Sequence, residues 1–126
     1  MPKFGRKSLA ELRGLDSRII NVLNQAIKHF DFTVIEGIRS LETQTQYVAD
    51  GASKTLKSKH LDGKAVDIAP YPIDYEDEER FVYLGGFILG VASQLGVKLR
   101  WGLDWDNDTY TKDTSFRDIG HFELKE

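Results

Sequence analysis

The segment SKHLDGKAVDIAP constrains the fold more than any other part of the chain. Asp62 and Gly63 form a turn signal, because both residue types favour reversal of the chain direction. Apolar and polar residues then alternate well enough to predict a β-strand over Lys64–Pro70. The strand should stop at the proline, because proline interrupts a ladder of backbone hydrogen bonds. A chain that turns at Gly63 can bring His60 back beside Asp67 on that strand.

Apolar residues recur at helical spacing in three other regions. From Ser8 onward they predict a long amphipathic helix that is broken near Gly14, with Ser8 and Glu11 as a capping box at its start. A second helix is predicted over residues 41–51, with its glycine as the C-cap. The acidic run DYEDEER suits a helix N-terminus, because negative charge there complements the macrodipole, and an apolar helix should continue to about Gln94.

Three further segments predict strands, namely Phe32–Ile38, Val97–Trp101 and Gly120–Lys125. The last two are joined by a long polar loop rather than by a helix. This arrangement predicts an α+β fold with a small antiparallel or mixed sheet flanked by helices. The chain has 126 residues with 40% hydrophobic content, enough for one core. We therefore expect a single domain over residues 1–126.

Composition excludes several classes of function. The chain has no cysteine, so a transition-metal site must use histidine, aspartate and glutamate. Its 17 basic and 20 acidic residues give a net charge of -3, which argues against a nucleic-acid partner. No apolar run approaches the roughly 20 residues of a membrane span, and the N-terminus lacks the apolar core of a secretory signal. We expect a monomer that stays in the cytoplasm unless another protein releases it, with no membrane insertion.

The chain has three histidines, and two of them lie near acidic residues at the start of predicted strands. A catalytic zinc takes three protein ligands and leaves one position for water, and the candidate ligands are His60, Asp67 and His121. His29 ends the first predicted helix, where a cation suits the dipole, and is not a candidate. A single histidine near a turn is more often a surface or hydrogen-bonded residue, so spacing alone leaves both interpretations open.

Two acidic residues flank His121. Asp118, three positions earlier, offers a carboxylate that can take a proton from a metal-bound water, the general-base role that such hydrolysis requires. Glu123, two positions later on the predicted strand, should face the same side as His121. From there it can orient the imidazole without binding the metal itself.

The pattern S-x-H-x-x-G-x-A-x-D in SKHLDGKAVDIAP, followed by D-x-x-H in DIGH, resembles the zinc peptidases of the M15 family. That family includes D-alanyl-D-alanine carboxypeptidases, VanX-type dipeptidases and phage L-alanyl-D-glutamate endolysins. The segments FTVIEGIRS, LGVKLRWGLDW and GHFEL are most similar to the small single-domain phage endolysins, from about Phe32 to the end of the chain. The resemblance implies the fold of the Hedgehog and D-Ala-D-Ala peptidases, with the zinc site on the sheet.

The resemblance also implies roles for individual residues. The residues that match the family's zinc ligands are His60, Asp67 and His121. Asp118 matches the carboxylate that activates water, and Arg39 matches the arginine that stabilises the developing oxyanion or binds a substrate carboxylate. Ser58 and Gln46 match positions that line the site. Many members have Glu-x-x-His where this chain has Asp-x-x-His, a variation typical of the phage endolysins that points away from the VanX branch.

The function implied is that of a zinc-dependent endolysin that hydrolyses the L-alanyl-D-glutamate bond of the peptidoglycan stem peptide during host cell lysis. The resemblance implies a single catalytic domain over residues 1–126, without a separate cell-wall-binding domain. Such a protein would accumulate in the host cytoplasm and depend on a holin to reach the wall. One alternative is a D,D-carboxypeptidase or dipeptidase that releases terminal D-alanine. Another is a wall-binding or metal-binding module that keeps the fold without catalysis.

The loop DWDNDTYTKD invites a calcium interpretation because four aspartates lie close together in it. An EF-hand that began at its first aspartate would need glycine at position six and glutamate at position twelve, where Thr109 and Ser115 stand. The EF-hand is therefore excluded. A looser calcium site, which some similar endolysins use for regulation, is the alternative to a solvated acidic loop. Its candidate ligands are Asp104, Asp106, Asp108 and Asp113.

Overall fold

The structure is a computed structural model that describes residues 2–51, 58–112, 114 and 117–126. The helices are α1 (Arg6–Glu11), α2 (Ser17–Ala26), α3 (Leu41–Ala49) and α4 (Glu78–Gln94), with a 3-10 turn at Lys59–Asp62. The strands are β1 (Phe32–Glu36), β2 (Ala65–Pro70), β3 (Leu99–Trp101) and β4 (His121–Leu124). They form one sheet in the order β1-β2-β4-β3, and each neighbouring pair is antiparallel. The predicted α+β fold is confirmed.

The alternation along β2 separates the core from the candidate site. Val66 and Ile68 are buried and point into the core, where α4 packs against β2 and β3 and also against α2. Asp67 lies between them in sequence and faces the opposite side of the sheet, because successive side chains of a strand point to opposite faces. Asp67 thus lies on the face of the sheet opposite the core, while the core face stabilises the fold.

Helix α4 begins and ends as its sequence predicts. The side chain of Asp77 accepts a hydrogen bond from the backbone N–H of Arg80, and Glu78 and Glu79 occupy the first turn. The helix ends at Gln94, two residues before Gly96, which adopts a φ of 71°. At 17 residues α4 is the longest helix described, and no helix in the described ranges is long and apolar enough to cross a membrane.

The N-terminal region differs from the prediction in its helix start. The predicted long helix is divided into α1 and α2 near Gly14, which has a φ of 83°. The predicted capping box was wrong, because α1 begins after Gly5, which makes no side-chain cap. Ser8 and Glu11 therefore lie within the helix rather than at its N-cap and N3 positions.

Ser8 and Glu11 instead protect the free edge of the sheet at β1. The Ser8 hydroxyl accepts a hydrogen bond of 3.0 Å from the backbone N–H of Val34. A carboxylate oxygen of Glu11 accepts one of 3.1 Å from the N–H of Gly37, just beyond the strand. These N–H groups would otherwise be open to pairing with another strand, which is the hazard of an edge strand.

Candidate metal centre

Three segments bring His60, Asp67 and His121 together at the face of the sheet opposite the core. Strands β2 and β4 pair so that Asp67 lies directly opposite His121. His60 lies in the 3-10 turn before β2, and Gly63 then turns the chain with a φ of 70°. A Cβ at Gly63 would overlap the carbonyl oxygen of Gly14, so the turn that returns the chain toward Asp67 needs glycine.

The three side chains converge on one point. Asp67 Oδ1 lies 3.3 Å from His60 Nε2 and 3.0 Å from His121 Nδ1. One potential ligand atom from each residue lies within 4.8 Å of the other two. Both histidines are buried, whereas the third histidine of the chain, His29, is exposed. Two imidazole nitrogens and one carboxylate oxygen thus form a group that could hold a metal ion.

The hydrogen bonds of His60 leave one of its ring nitrogens directed at the cluster. Its Nδ1 donates to the carbonyl oxygen of Gly37 at 2.7 Å, and since a carbonyl only accepts, Nδ1 carries the proton. Nε2 is buried and has no hydrogen-bond partner in the described part of the chain. Ser58 caps the turn by accepting from the backbone N–H of His60 at 3.2 Å. An unpaired lone pair is costly in the interior, and a metal ion would satisfy it.

His121 is held between two carboxylates. Its Nδ1 is 3.0 Å from Asp67 Oδ1 and its Nε2 is 2.9 Å from Glu123 Oε1. Burial alone would lower the pKa of His121, but the hydrogen bonds with Asp67 and Glu123 raise it to about 9. Burial likewise opposes ionisation of Asp67, yet its contacts with His121 and His60 hold the pKa of this carboxyl well below its usual range. Without a metal, the cluster is an imidazolium between two carboxylates at neutral pH.

Glu123 fixes the orientation of the His121 ring. Burial favours the neutral form of the Glu123 carboxyl, but the hydrogen bond with His121 and the charge of Lys59 lower the pKa of Glu123. Lys59 Nζ lies 3.4 Å from Glu123 Oε2. Because Glu123 binds Nε2, the opposite nitrogen of His121 faces the cluster. Glu123 and His121 lie on the same side of β4, as their two-residue spacing predicted.

Asp118 lies at the open edge of the cluster. Its Oδ2 is 3.9 Å from His121 Nδ1, and its side chain is 44% exposed. The Asp118 N–H donates to the carbonyl of Gly102 at 2.9 Å, and a Cβ on that glycine would overlap the Asp118 carbonyl oxygen. Burial raises the pKa of Asp118, and the nearby charge of Asp67 raises it further. Such a carboxylate can accept and return a proton.

Arg39 lies beside the cluster in a fixed position. Its Nε donates to Glu36 Oε1 at 2.8 Å and its Nη1 donates to Gln44 Oε1 at 2.7 Å. Its Nη2 also donates to Glu36 and lies 3.5 Å from Asp67 Oδ2. The guanidinium carbon lies over the ring of Tyr47, 4.5 Å from the ring centroid. Only 8% of the arginine side chain is exposed.

Of the two glutamines of α3, the structure brings Gln44 to Arg39 rather than the predicted Gln46. Gln46 is exposed and its amide donates to Asp50 at 2.9 Å, so its side chain is not among those brought together at the cluster. Gln44 is fully buried and contacts Arg39. Helical spacing was the available signal for Gln44. Residues three apart share a helix face, and Gln44 lies three positions before Tyr47, which also contacts Arg39.

Two other neighbours of the cluster were missed. Glu36 lies opposite Asp67 across the β1–β2 pair. Trp105 lies on the loop between β3 and β4, with its ring centroid 5.4 Å from that of His121. Both lie in segments that carry the family resemblance, FTVIEGIRS and LGVKLRWGLDW. Neither was assigned a role, since their proximity to the site depends on strand register and on the course of a long loop.

The acidic loop brings three of its four candidate calcium ligands close together. Asp104, Asp106 and Asp108 each offer an oxygen within 4.8 Å of the others, whereas Asp113 lies outside the described residues. The carboxylate of Asp104 is buried and accepts from the backbone N–H groups of Asp108 and Thr109, at 3.1 and 3.0 Å. These contacts cap a turn, and calcium binding stays a prediction.

Comparison with known proteins identifies the family. The phage L-alanyl-D-glutamate peptidase family matches residues 1–125. The chain belongs to that family. Among its relatives, the L-alanyl-D-glutamate peptidase of Escherichia phage T5 is 35% identical over 133 residues, which cover 97% of each protein. The resemblance inferred from the two motifs is confirmed.

Solved structures agree with this membership of the phage L-alanyl-D-glutamate peptidase family. The L-Ala D-Glu endopeptidase ChiX of Serratia marcescens matches with a TM-score of 0.80 and 28% identity, over 98% of this chain and 90% of that one. VanYB in complex with D-alanine-D-alanine matches with a TM-score of 0.55 and 19% identity, over 87% and 71%. The second likeness shows the fold alone, and the predicted D-Ala-D-Ala peptidase-like fold is confirmed.

Proposed function

We propose that this family member is a zinc peptidase that hydrolyses the L-alanyl-D-glutamate bond in the peptidoglycan stem peptide and so contributes to host cell lysis. The observation that carries the proposal is the convergence of His60, Asp67 and His121 beside Asp118. The identity with the T5 peptidase, which is named for this bond, supports the choice of substrate.

The donor set and its spacing fit zinc. Zinc binds imidazole nitrogen and carboxylate oxygen at about 2.0–2.2 Å in tetrahedral sites, which places neighbouring ligand atoms about 3.3 Å apart. The two histidine nitrogens lie 3.3 and 3.0 Å from Asp67 Oδ1. Ligation would also give a partner to the buried Nε2 of His60. Three protein ligands leave a position open, as catalytic zinc sites require.

Asp118 is the proton carrier of the proposed reaction. Zinc, when bound, supplies the Lewis acidity that activates a water molecule and polarises the scissile carbonyl. Asp118 Oδ2 accepts the proton of the attacking water at the exposed edge of the cluster and then returns it to the leaving amine. The raised pKa of Asp118 supports this role, because the carboxylate holds a transferred proton more readily.

The surrounding residues position these groups. Arg39 is fixed by Glu36 and Gln44, and a preorganised guanidinium can stabilise charge on the carbonyl oxygen or bind a substrate carboxylate without reorganisation. Glu123 sets the His121 ring so that Nδ1 faces the metal position. Ser58 supports the site by accepting a hydrogen bond from the backbone N–H of His60, rather than by a described contact with the ligand atoms.

We further propose the biological setting of the endolysin class for this chain. In that setting the protein accumulates in the host cytoplasm as a monomeric single domain. It reaches the peptidoglycan after a holin has permeabilised the membrane. Membership of a phage peptidase family supports this order of events.

Digestion of purified sacculi tests the scissile bond. The zinc-loaded protein should release peptides with a new D-glutamate amino terminus, and mass spectrometry should find L-alanine left on the glycan. A D,D-carboxypeptidase or dipeptidase would release terminal D-alanine instead. If no new amino termini appear with zinc present, the chain is not a peptidoglycan endopeptidase and the proposal fails.

Zinc binding should release about one proton from His121 at pH 7. The metal-free protein holds that proton because the pKa of His121 is raised to about 9, whereas ligation needs the neutral ring. The measurement is calorimetry in buffers of different ionisation enthalpy, and the release from His121 should diminish as the pH rises through 9. A binding heat independent of the buffer at pH 7 would contradict the assignment of His121 as a ligand.

A further inference from the structure

Arg39 places a cation next to the proposed metal position. Its Nη2 lies 3.5 Å from Asp67 Oδ2, while Asp67 Oδ1 faces the two histidines. The arginine side chain is only 8% exposed, so water screens its charge poorly. An uncompensated guanidinium at this position would oppose binding of a divalent cation, because like charges repel strongly where the dielectric is low.

Glu36 lies where it can compensate that charge. Its Oε1 accepts from both Nε and Nη2 of Arg39, and its Oε2 accepts from the hydroxyl of Tyr47 at 3.1 Å. The Tyr47 ring packs on the guanidinium, so the three side chains hold one another in a closed arrangement. Glu36 also lies opposite Asp67 in the β1–β2 register. Asp67 thus lies between the metal position and Arg39, and Glu36 binds Arg39 directly.

We propose that Glu36 is a positioning residue that maintains the affinity of the centre for zinc. It holds Arg39 in place and offsets part of its charge at the metal position, which allows a guanidinium that the proposed reaction uses to lie beside a metal-binding carboxylate. Glu36 acts through Arg39 and need not touch the metal or the substrate. The inference rests on the proposed zinc site and extends it beyond the ligand set.

Zinc affinities measured by competition with a chelator test this inference. Glu36→Gln preserves the side-chain shape but removes the charge, and it should weaken zinc binding by about tenfold or more. Arg39→Met removes the cation and should bind zinc at least as tightly as the wild type. The double variant lacks both charges and should recover most of the affinity that Glu36→Gln loses.

The matched control is Glu42→Gln, an exposed glutamate of α3, which should bind zinc like the wild type. Circular dichroism of the metal-free variants monitors folding. If Glu36→Gln does not fold, the double variant with Glu36→Gln and Arg39→Met still tests the inference, because it should bind zinc nearly as tightly as the wild type. Wild-type affinity in Glu36→Gln, or a double variant weakened about tenfold, overturns the inference. A wild-type protein that binds no zinc would instead overturn the proposed function itself.

Discussion

Asp118→Asn is expected to abolish peptidoglycan hydrolysis while zinc still binds. The amide keeps the shape of the side chain but cannot take a proton from water, and loss of a general base lowers the rate by about 10²- to 10⁴-fold. Because the Asp118 side chain is 44% exposed at the edge of the cluster, the fold should not change. The measurement pairs the rate of peptide release from sacculi with the zinc content of the purified variant.

Asp50→Asn is a suitable control, since Asp50 is an exposed aspartate at the end of α3 whose described contacts stay within that helix. It should retain full activity. If Asp118→Asn releases peptides as fast as the wild type, Asp118 is not the proton acceptor. If neither protein releases peptides, the chain acts as a wall-binding module rather than as an enzyme. If Asp118→Asn loses zinc together with activity, Asp118 belongs to the ligand set and its assignment as the proton acceptor is wrong.

His60→Gln is expected to lose both zinc and activity. His60 Nε2 is one of three proposed ligands, and removal of a ligand should cost more than the 10- to 100-fold in affinity that loss of an outer partner costs. Zinc also stabilises the folded state through mass action, by about 2.7 kcal/mol at a concentration 100 times its Kd. Thermal unfolding with and without zinc should therefore show a rise in Tm for the wild type and none for the variant.

The chain provides a matched control in His29→Gln, which changes an exposed histidine away from the cluster. This variant should bind zinc and hydrolyse sacculi normally. Stoichiometric zinc in His60→Gln, with a zinc-dependent rise in Tm like that of the wild type, would contradict the assignment of His60 as a ligand.

The part of the site that is local in sequence could be predicted from it. His60, Gly63 and Asp67 lie within one turn and one strand, so turn chemistry and strand alternation place the histidine near the carboxylate. His121 is 54 residues beyond Asp67. Its position opposite Asp67 depends on the pairing of β2 with β4, which residue spacing did not predict. The family resemblance implied only that both residues bind the same metal.

The face of the sheet that Glu36 occupies could not be predicted from the alternation of residues along β1. Phe32 and Val34 are buried in the core, so a strict period of two would direct Glu36 into the core as well. The register shifts between Val34 and Glu36, where β1 has a bulge. A bulge adds one residue to a strand and so changes the face that later side chains occupy. That shift places Glu36 opposite Asp67, and no local motif marks it.

The capping-box error at Ser8 and Glu11, and the position of Gln46 outside the cluster, have a similar origin in tertiary contacts. Ser8 and Glu11 have the spacing of a capping box, but the unpaired N–H groups at the edge of β1 recruit both side chains. Helix α3 has little contrast between its faces, and Gln44 is its one buried residue. Apart from its helical spacing relative to Tyr47, nothing in the sequence indicated that Gln44, rather than Gln46, would contact Arg39.

A crystal structure of the zinc-loaded protein, with the metal located by anomalous scattering, tests the central claim most directly. The account predicts one zinc ion bound by His60 Nε2, Asp67 Oδ1 and His121 Nδ1, with a further position open to solvent beside Asp118. Zinc located elsewhere, for example on the aspartates of the loop between β3 and β4, with either imidazole unliganded, would contradict it.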